Sequence, residues 1–205
     1  MKKITAVIPP KRPGSRTTVC FSDGTSWKLI PLVAEEQGLF PGMELDDAAF
    51  ERIRAANGEA SAKQRAVRII SAAGVTKQDL ERRLCQKGEQ AQDAKKAVAW
   101  LDELHLIDDA ETARQIVARG AARGYGEKRI KQMLFEKRVP RVYWEQALSA
   151  MPDQSDALEQ FLASRLGAEP DEKARRSAVS AAVRRGFSWQ EISAALARLG
   201  AEPED

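Results

Sequence analysis

The sequence predicts a mainly α protein: three tandem three-helix repeats forming an elongated array, preceded by a small β-containing N-terminal domain. The first support is an internal repeat of about fifty residues. Leu80-x-x-x-Leu84-x-x-Lys87 recurs as Ile130-x-x-x-Leu134-x-x-Lys137, and Ala97-Val98 recurs as Ala147-Leu148. A degraded third copy follows at an offset of 48, pairing Lys137-Arg138-Val139 with Arg185-Gly186-Phe187 and Ala147-Leu148 with Ala195-Leu196. Repeats of this length stack into arrays that bury faces no single unit can bury alone. The second support is helical punctuation from Ser61 onward, and the third is a different, β-prone character before it.

In the first 60 residues Ile4, Ala6 and Ile8 alternate, and Thr17-Thr18-Val19-Cys20-Phe21 is β-prone. Asp23-Gly24 supplies a hairpin turn before Trp27, Leu29 and Ile30, and Pro31 ends that strand. A short helix is expected over 31–39, and another over 46–56. Asn57-Gly58 is read as the linker, so the domains are expected at 1–58, 61–108, 109–152 and 153–200, with a frayed tail at 201–205.

Nine helices are predicted near 62–73, 77–87, 91–105, 110–123, 126–138, 141–150, 155–166, 171–185 and 189–199. Ser61-x-x-Gln64, Thr76-x-x-Asp79 and Ser188-x-x-Glu191 resemble capping boxes, and Asp108-Asp109 offers a further N-cap. Gly74, Gly88, Gly124, Gly186 and Gly200 fall where helices should stop. Leu80 with Leu84, and Val98 with Leu101 and Leu104, form apolar stripes. Trp100, Trp144 and Trp189 are expected in cores, with Tyr143-Trp144 the exception, because adjacent aromatics on one helix cannot both face one core.

The net charge of +3 hides an uneven distribution. Residues 1–60 are neutral, 61–151 carry +6 and 152–205 carry −3. The stretch 112–141 alone holds nine basic residues against Glu127 and Glu136. Such concentration suits a nucleic-acid or nucleoprotein partner. On a helical wheel for 126–138, Ile130, Met133 and Leu134 share one face, while Lys128, Lys131, Phe135 and Arg138 share another. Arg119 and Arg123 extend this basic surface by one turn. In the first repeat Arg65, Arg68, Arg82 and Lys87 are candidates, and Arg83 lies nearer the apolar side.

Enzyme chemistry finds little support. His105 is the single histidine and sits between Leu104 and Leu106. No nucleophile elbow, Walker loop or zinc-ligand cluster occurs, and Gly124-Tyr125-Gly126 reads as a turn between helices. Cys20 and Cys85 are too far apart in sequence for metal-ligand spacing. No catalytic residue, metal or cofactor is therefore expected. The N-terminus lacks a long apolar stretch, and no run of 18 apolar residues marks a membrane span, so a cytoplasmic protein without membrane contact is the natural reading.

These elements together resemble the RecX family of bacterial regulators of the RecA recombinase. The resemblance rests on Leu80-x-x-x-Leu84-x-x-Lys87-Gly88 and on Leu101-x-x-Leu104-x-Leu106-Ile107-Asp108-Asp109-x-x-x-Ala113. It continues through Gly124-x-Gly126-x-x-Arg129-Ile130-x-x-x-Leu134-x-x-Lys137 to Arg185-Gly186-Phe187-x-x-x-x-Ile192, covering about 61–199. It implies three three-helix repeats curved into an extended monomer that lodges in the groove of a RecA–DNA filament. Members generally restrain RecA's ATP hydrolysis and strand exchange, and stimulation occurs in some settings. No catalytic residues accompany the resemblance. The expected partners are thus the RecA filament and single- or double-stranded DNA, met by the basic residues above together with Lys137. One departure is Arg138, which replaces the glycine expected after Lys137 and is followed by Val139-Pro140. The runner-up is a direct DNA-binding protein, because three-helix units can carry helix-turn-helix recognition. A scaffold using the β segment is the third reading.

Overall fold

The computed structural model describes residues 1–72, 74–167 and 171–200. The described residues form a small sheet and ten α-helices, the first of them between the third and fourth strands, and the chain divides into two compact units, up to Ile107 and from Asp108 onward. The expected tail at 201–205 lies outside the described residues.

The first unit opens with β1 (Lys2–Ile8), β2 (Thr17–Phe21) and β3 (Ser26–Leu29). After α1 (Pro31–Glu36), β4 (Glu44–Leu45) pairs with β1, giving an antiparallel sheet of order β3-β2-β1-β4. The Asp23-Gly24 turn forms as the sequence predicts, with Gly24 at φ 79° and Asp23 Oδ1 accepting the Thr25 N–H. Simple alternation along β1 fails. The register shifts between Ile4 and Ala6, so Val7 packs against the core while Ile8 is exposed. One extra residue in a strand reverses the facing of everything after it.

The expected break at Asn57-Gly58 is absent. A single 26-residue helix, α2 (Asp47–Ala72), spans both predicted helices. Tertiary contacts use the two turn-prone residues instead. Asn57 Oδ1 accepts the Ile30 N–H at 2.8 Å, where β3 has ended. Gly58 lets α2 pass close to the next layer, since a Cβ there would lie 3.2 Å from Asp93 Cγ and overlap its carboxylate oxygen. Ser61 is consequently mid-helix and caps nothing. Ile53 of α2 joins the sheet core, while Ala62 and Ala66 join the next core.

That second core is closed by α3 (Lys77–Gln86) and α4 (Ala91–Glu103), which contribute Leu80, Leu84, Ala97, Val98 and Leu101. Thr76 caps α3 as expected, its hydroxyl accepting the Asp79 N–H at 3.2 Å. His105 is exposed, and its φ of 55° ends the turn after α4; Leu104 and Leu106 are exposed beside it.

In the second unit α5 (Asp109–Ala122), α6 (Glu127–Glu136), a 3-10 turn (Arg141–Tyr143) and α7 (Trp144–Ser149) surround Ala113, Val117, Ile130, Leu134, Val139 and Ala147. Asp108 caps α5 by accepting the Glu111 N–H at 2.9 Å. Tyr143 and Trp144 both pack on this core. The sequence reading separated them by assuming one helix. Tyr143 instead belongs to the 3-10 turn, and Trp144 Nε1 donates to the Val139 carbonyl at 2.9 Å.

Helices α8 (Ser155–Leu166), α9 (Glu172–Arg184) and α10 (Trp189–Arg198) form the last core from Leu158, Leu162, Ala178, Ala182, Phe187, Ile192 and Leu196. The Ser188/Glu191 capping box is complete. Trp189 was expected inside but is 60% exposed, because it occupies the first turn of α10 while Ile192, Ala195 and Leu196 supply the buried stripe.

The repeat is visible in how the middle helices end. Lys87, Lys137 and Arg185 are their C-caps, followed by Gly88 at φ 90°, Arg138 at φ 55° and Gly186 at φ 92°. A left-handed backbone costs an L-residue about 1–2 kcal/mol, partly offset by the greater freedom of an unfolded glycine. Arg138→Gly is therefore expected to stabilise the chain by about 0.5–1 kcal/mol, read as a higher urea midpoint.

Candidate functional site

Basic side chains gather in two places, one in each unit. In the first unit, a concavity of about 420 Å³ is lined by Arg16, Arg65, Arg68, Arg83 and Lys87. Arg16 precedes β2. Arg65 and Arg68 come from one face of α2, where Ser61 and Gln64 lie one turn earlier. Arg83 sits in the last turn of α3 and Lys87 caps it. Helical spacing of three, four and seven residues brings the α2 groups onto one face.

The carboxylates nearby are committed. Glu89, whose side chain is 8% exposed, takes the Arg65 Nε at 2.6 Å and the Ser61 hydroxyl at 3.0 Å. Ser61 Oγ in turn accepts from Arg16 Nη2 at 2.9 Å. Asp79 is 1% exposed and holds Arg82 at 2.7 Å and Arg83 at 2.8 Å. Burial works to raise the Asp79 carboxyl, but its bonds to Arg82 and Arg83 outweigh burial and keep it below the ordinary value. Arg16 is pushed below the usual guanidinium range, chiefly by burial, with Glu89 opposing and Arg65 and Arg68 adding to the fall. Among the described residues no carboxylate reaches ion-pair distance of Arg68 or Lys87.

Of the first-repeat candidates, Arg65, Arg68 and Lys87 therefore share the concavity, whereas Arg82 is drawn to Asp79 and Gln86. Arg16 and Arg83 were missed. Arg83 reads as near-apolar on a wheel because it is half-buried, yet its head group lines the opening. Arg16 lies 45 residues from its partner Ser61, a separation that carries no periodic signal.

In the second unit the wheel reading of α6 holds for its apolar face: Ile130 and Leu134 are fully buried and Met133 partly so. Lys128, Lys131 and Phe135 are exposed, Phe135 at 68%. Lys131 is paired with Glu127, and Arg129 Nη1 stands 3.6 Å from Glu136. The Arg119 guanidinium donates to the neutral Gln115 side chain at 2.8 Å. Arg123 caps the end of α5 and Lys128 lies in the first turn of α6, on either side of the Gly124-Tyr125-Gly126 turn. Among the described residues Arg119, Arg123 and Lys128 have no carboxylate within ion-pair distance. Lys137 and Arg138 are exposed at the far end of α6.

Gly124-Tyr125-Gly126 is more than a turn. The Gly126 N–H donates to the Arg185 carbonyl at 2.9 Å, and the Lys128 N–H donates to the Gly186 carbonyl at 3.1 Å. Arg185 also lies over the Phe161 ring at 4.1 Å and donates to the Arg123 and Gly124 carbonyls. This seam places the start of α6, and Lys128 with it, against the turn after α9.

Among the described residues no cluster of His, Cys, Asp and Glu is placed to hold a metal ion, and Asp108 serves as a helix cap. No described helix is long and apolar enough to cross a membrane.

The sequence profile described as "RecX, second three-helix domain" matches residues 108–148. "Regulatory protein RecX" of Vibrio parahaemolyticus is 30% identical over 144 residues, covering 66% of this chain and 90% of that protein. The protein of the same name from Chlorobaculum tepidum is 32% identical over 139 residues, covering 65% and 85%. A crystal structure of regulatory protein RecX superposes with a TM-score of 0.65 at 20% identity, covering 98% of this chain and 100% of that one. RecX from Lactobacillus salivarius gives 0.60 at 21% identity, covering 71% and 98%. The two structures speak to the fold. The sequence relatives, aligned over most of their own length, establish that this chain belongs to the RecX family of regulatory proteins.

Proposed function

We propose that this chain is a non-enzymatic, monomeric cytoplasmic regulator that binds the RecA–DNA filament and restrains its ATP hydrolysis and strand exchange. The observation that carries this reading is the basic surface about the α5–α6 turn, where among the described residues Arg119, Arg123 and Lys128 have no carboxylate within ion-pair distance, in a chain of the RecX family. Arg119, Arg123 and Lys128 lie around one inter-helix turn, and exposed Phe135 lies farther along α6. Exposed cations speed encounter with a polyanionic filament, while several weak contacts together give residence. Phe135 adds an apolar contact that a purely electrostatic surface lacks.

The test is RecA ATPase on single-stranded DNA, titrated with this protein at substoichiometric ratios. Inhibition is expected. Lys128→Glu/Lys131→Glu should raise the half-inhibitory concentration about ten-fold, and the effect should shrink with added salt. Reversal at Lys131 also breaks its pair with Glu127, so helix content is checked by circular dichroism. Unchanged ATPase with tight binding to bare DNA would replace this reading with the direct DNA binder.

A further inference from the structure

The concavity of the first unit is an unusual place for so many cations. Arg16, Arg65, Arg68, Arg83 and Lys87 line it, against the largely buried carboxylates Glu89 and Asp79. Three positive charges are left over. Nothing in the folding of α2 or α3 requires this, since the buried positions of both helices are apolar apart from Asp79. The cations are also held in place: Arg16 through Ser61, Arg65 through Glu89 and Arg83 through Asp79. Like charges fixed together repel unless an anion sits among them.

The shape of the donor set narrows the anion. A single carboxylate is satisfied by one guanidinium fork, whereas a phosphate offers several oxygens to directed donors. Here guanidinium groups arrive from three segments, and Gln64 and Ser61 line the same opening with neutral polar groups. Among the described residues no aromatic side chain lines it, so these residues offer no platform for stacking a base. Contacts of this kind position a backbone and carry no sequence information.

We propose that this concavity binds a phosphodiester segment of a nucleic-acid strand, irrespective of its sequence, with the N-terminal sheet completing the site through Arg16. The assignment rests on the reading that the target of this chain includes nucleic acid. It gives the β-containing portion a role within a site shared with the first helical repeat. The Gly14 position, 3.6 Å from the Arg68 guanidinium when a Cβ is placed there, brings the β1–β2 connection to the same spot.

The experiment uses the full chain and a fluorescein-labelled oligothymidine, with anisotropy read across a salt series. Arg16→Glu/Arg68→Glu should weaken binding at least about ten-fold and flatten the log K against log salt slope by about 1.4, for two phosphate contacts on a single strand. Arg68→Gln, a milder change at an exposed side chain, should weaken it about three-fold with the thermal melt unchanged. Lys28→Glu/Lys173→Glu alters net charge equally outside the concavity. If that pair weakens binding as much, or if the concavity variants leave affinity and slope unchanged, the assignment is overturned. Inorganic pyrophosphate at matched ionic strength separates the sources of phosphate. Weak displacement supports a strand, and tighter binding of pyrophosphate than of oligothymidine overturns it in favour of a small polyphosphate. The oligothymidine assay contains no RecA, so its failure leaves the filament reading standing, and loss of ATPase restraint leaves this one standing.

Discussion

Replacing Gly186 with alanine is expected to destabilise the second unit by about 3–5 kcal/mol, far more than the same change at its repeat counterpart Gly88. Both glycines follow a basic C-cap and both hold a positive φ, 92° and 90°. The backbone penalty of about 1–2 kcal/mol is therefore shared. What differs is the neighbour. A Cβ on Gly186 would stand 2.5 Å from Arg129 Cβ and 2.9 Å from Arg129 Cα, whereas one on Gly88 meets nothing within 4 Å. Relieving that overlap means separating α6 from the turn after α9. The two backbone–backbone hydrogen bonds of the seam, each worth about 1 kcal/mol, would go with it. Urea denaturation of Gly186→Ala and Gly88→Ala side by side checks this; equal losses would mean that the seam contributes nothing beyond its glycine. Gly126→Ala should behave like Gly186→Ala, since its Cβ would lie 2.5 Å from the Gly186 carbonyl oxygen.

Asp79→Ala is expected to cost about 3 kcal/mol, because it leaves two half-buried guanidinium groups without the carboxylate they surround. The loss falls at the low end for a buried pair because Arg82 and Arg83 keep some contact with water. The pH dependence has a definite sign. A carboxyl held below its ordinary value in the folded state contributes stability fully above about pH 4, and that contribution disappears as the pH falls through the depressed value. Asp79→Asn, which keeps the shape and loses the charge, should differ most from the parent at neutral pH and converge with it in acid. Urea midpoints at several pH values read the difference; a constant gap would assign the loss to packing. Because Asp79 also positions Arg83, the same variants should loosen the anion site.

The helical repeat was legible because it is a local signal written three times. Leu80 and Leu84, Ile130 and Leu134, and Ala178 and Ala182 are spaced for one face of a helix, and all six are buried. Thr76, Asp108 and Ser188 cap helices through bonds to residues three positions on, a distance that sequence pattern reports directly. The misreadings are equally physical. Asn57-Gly58 looks like a linker because both residues favour turns, yet here one bonds Ile30 and the other admits Asp93. Trp189 looks like core by type, but its place in the first turn of α10 leaves it exposed.

The candidate sites divide in the same way. The charge bias of 112–141 and the exposed face of α6 follow from composition and a period of 3.6 residues, so Lys128, Lys131 and Phe135 could be placed together in advance. The concavity of the first unit could not. It joins Arg16, Ser61 and Arg83 across three elements, and no local period connects residues so far apart in the chain.

Sequence alone thus determined the helices from α3 onward, the caps at Thr76, Asp108 and Ser188 and the sign of the charged surface, because each depends on residues within about two turns of one another, and the repeat is that local pattern written again. Tertiary structure alone decided that α2 runs unbroken from sheet to repeat, that Gly126 and Gly186 meet, and that Arg16 completes a basic concavity. Those outcomes depend on backbone approach and desolvation between distant segments, which close packing settles and local propensity does not.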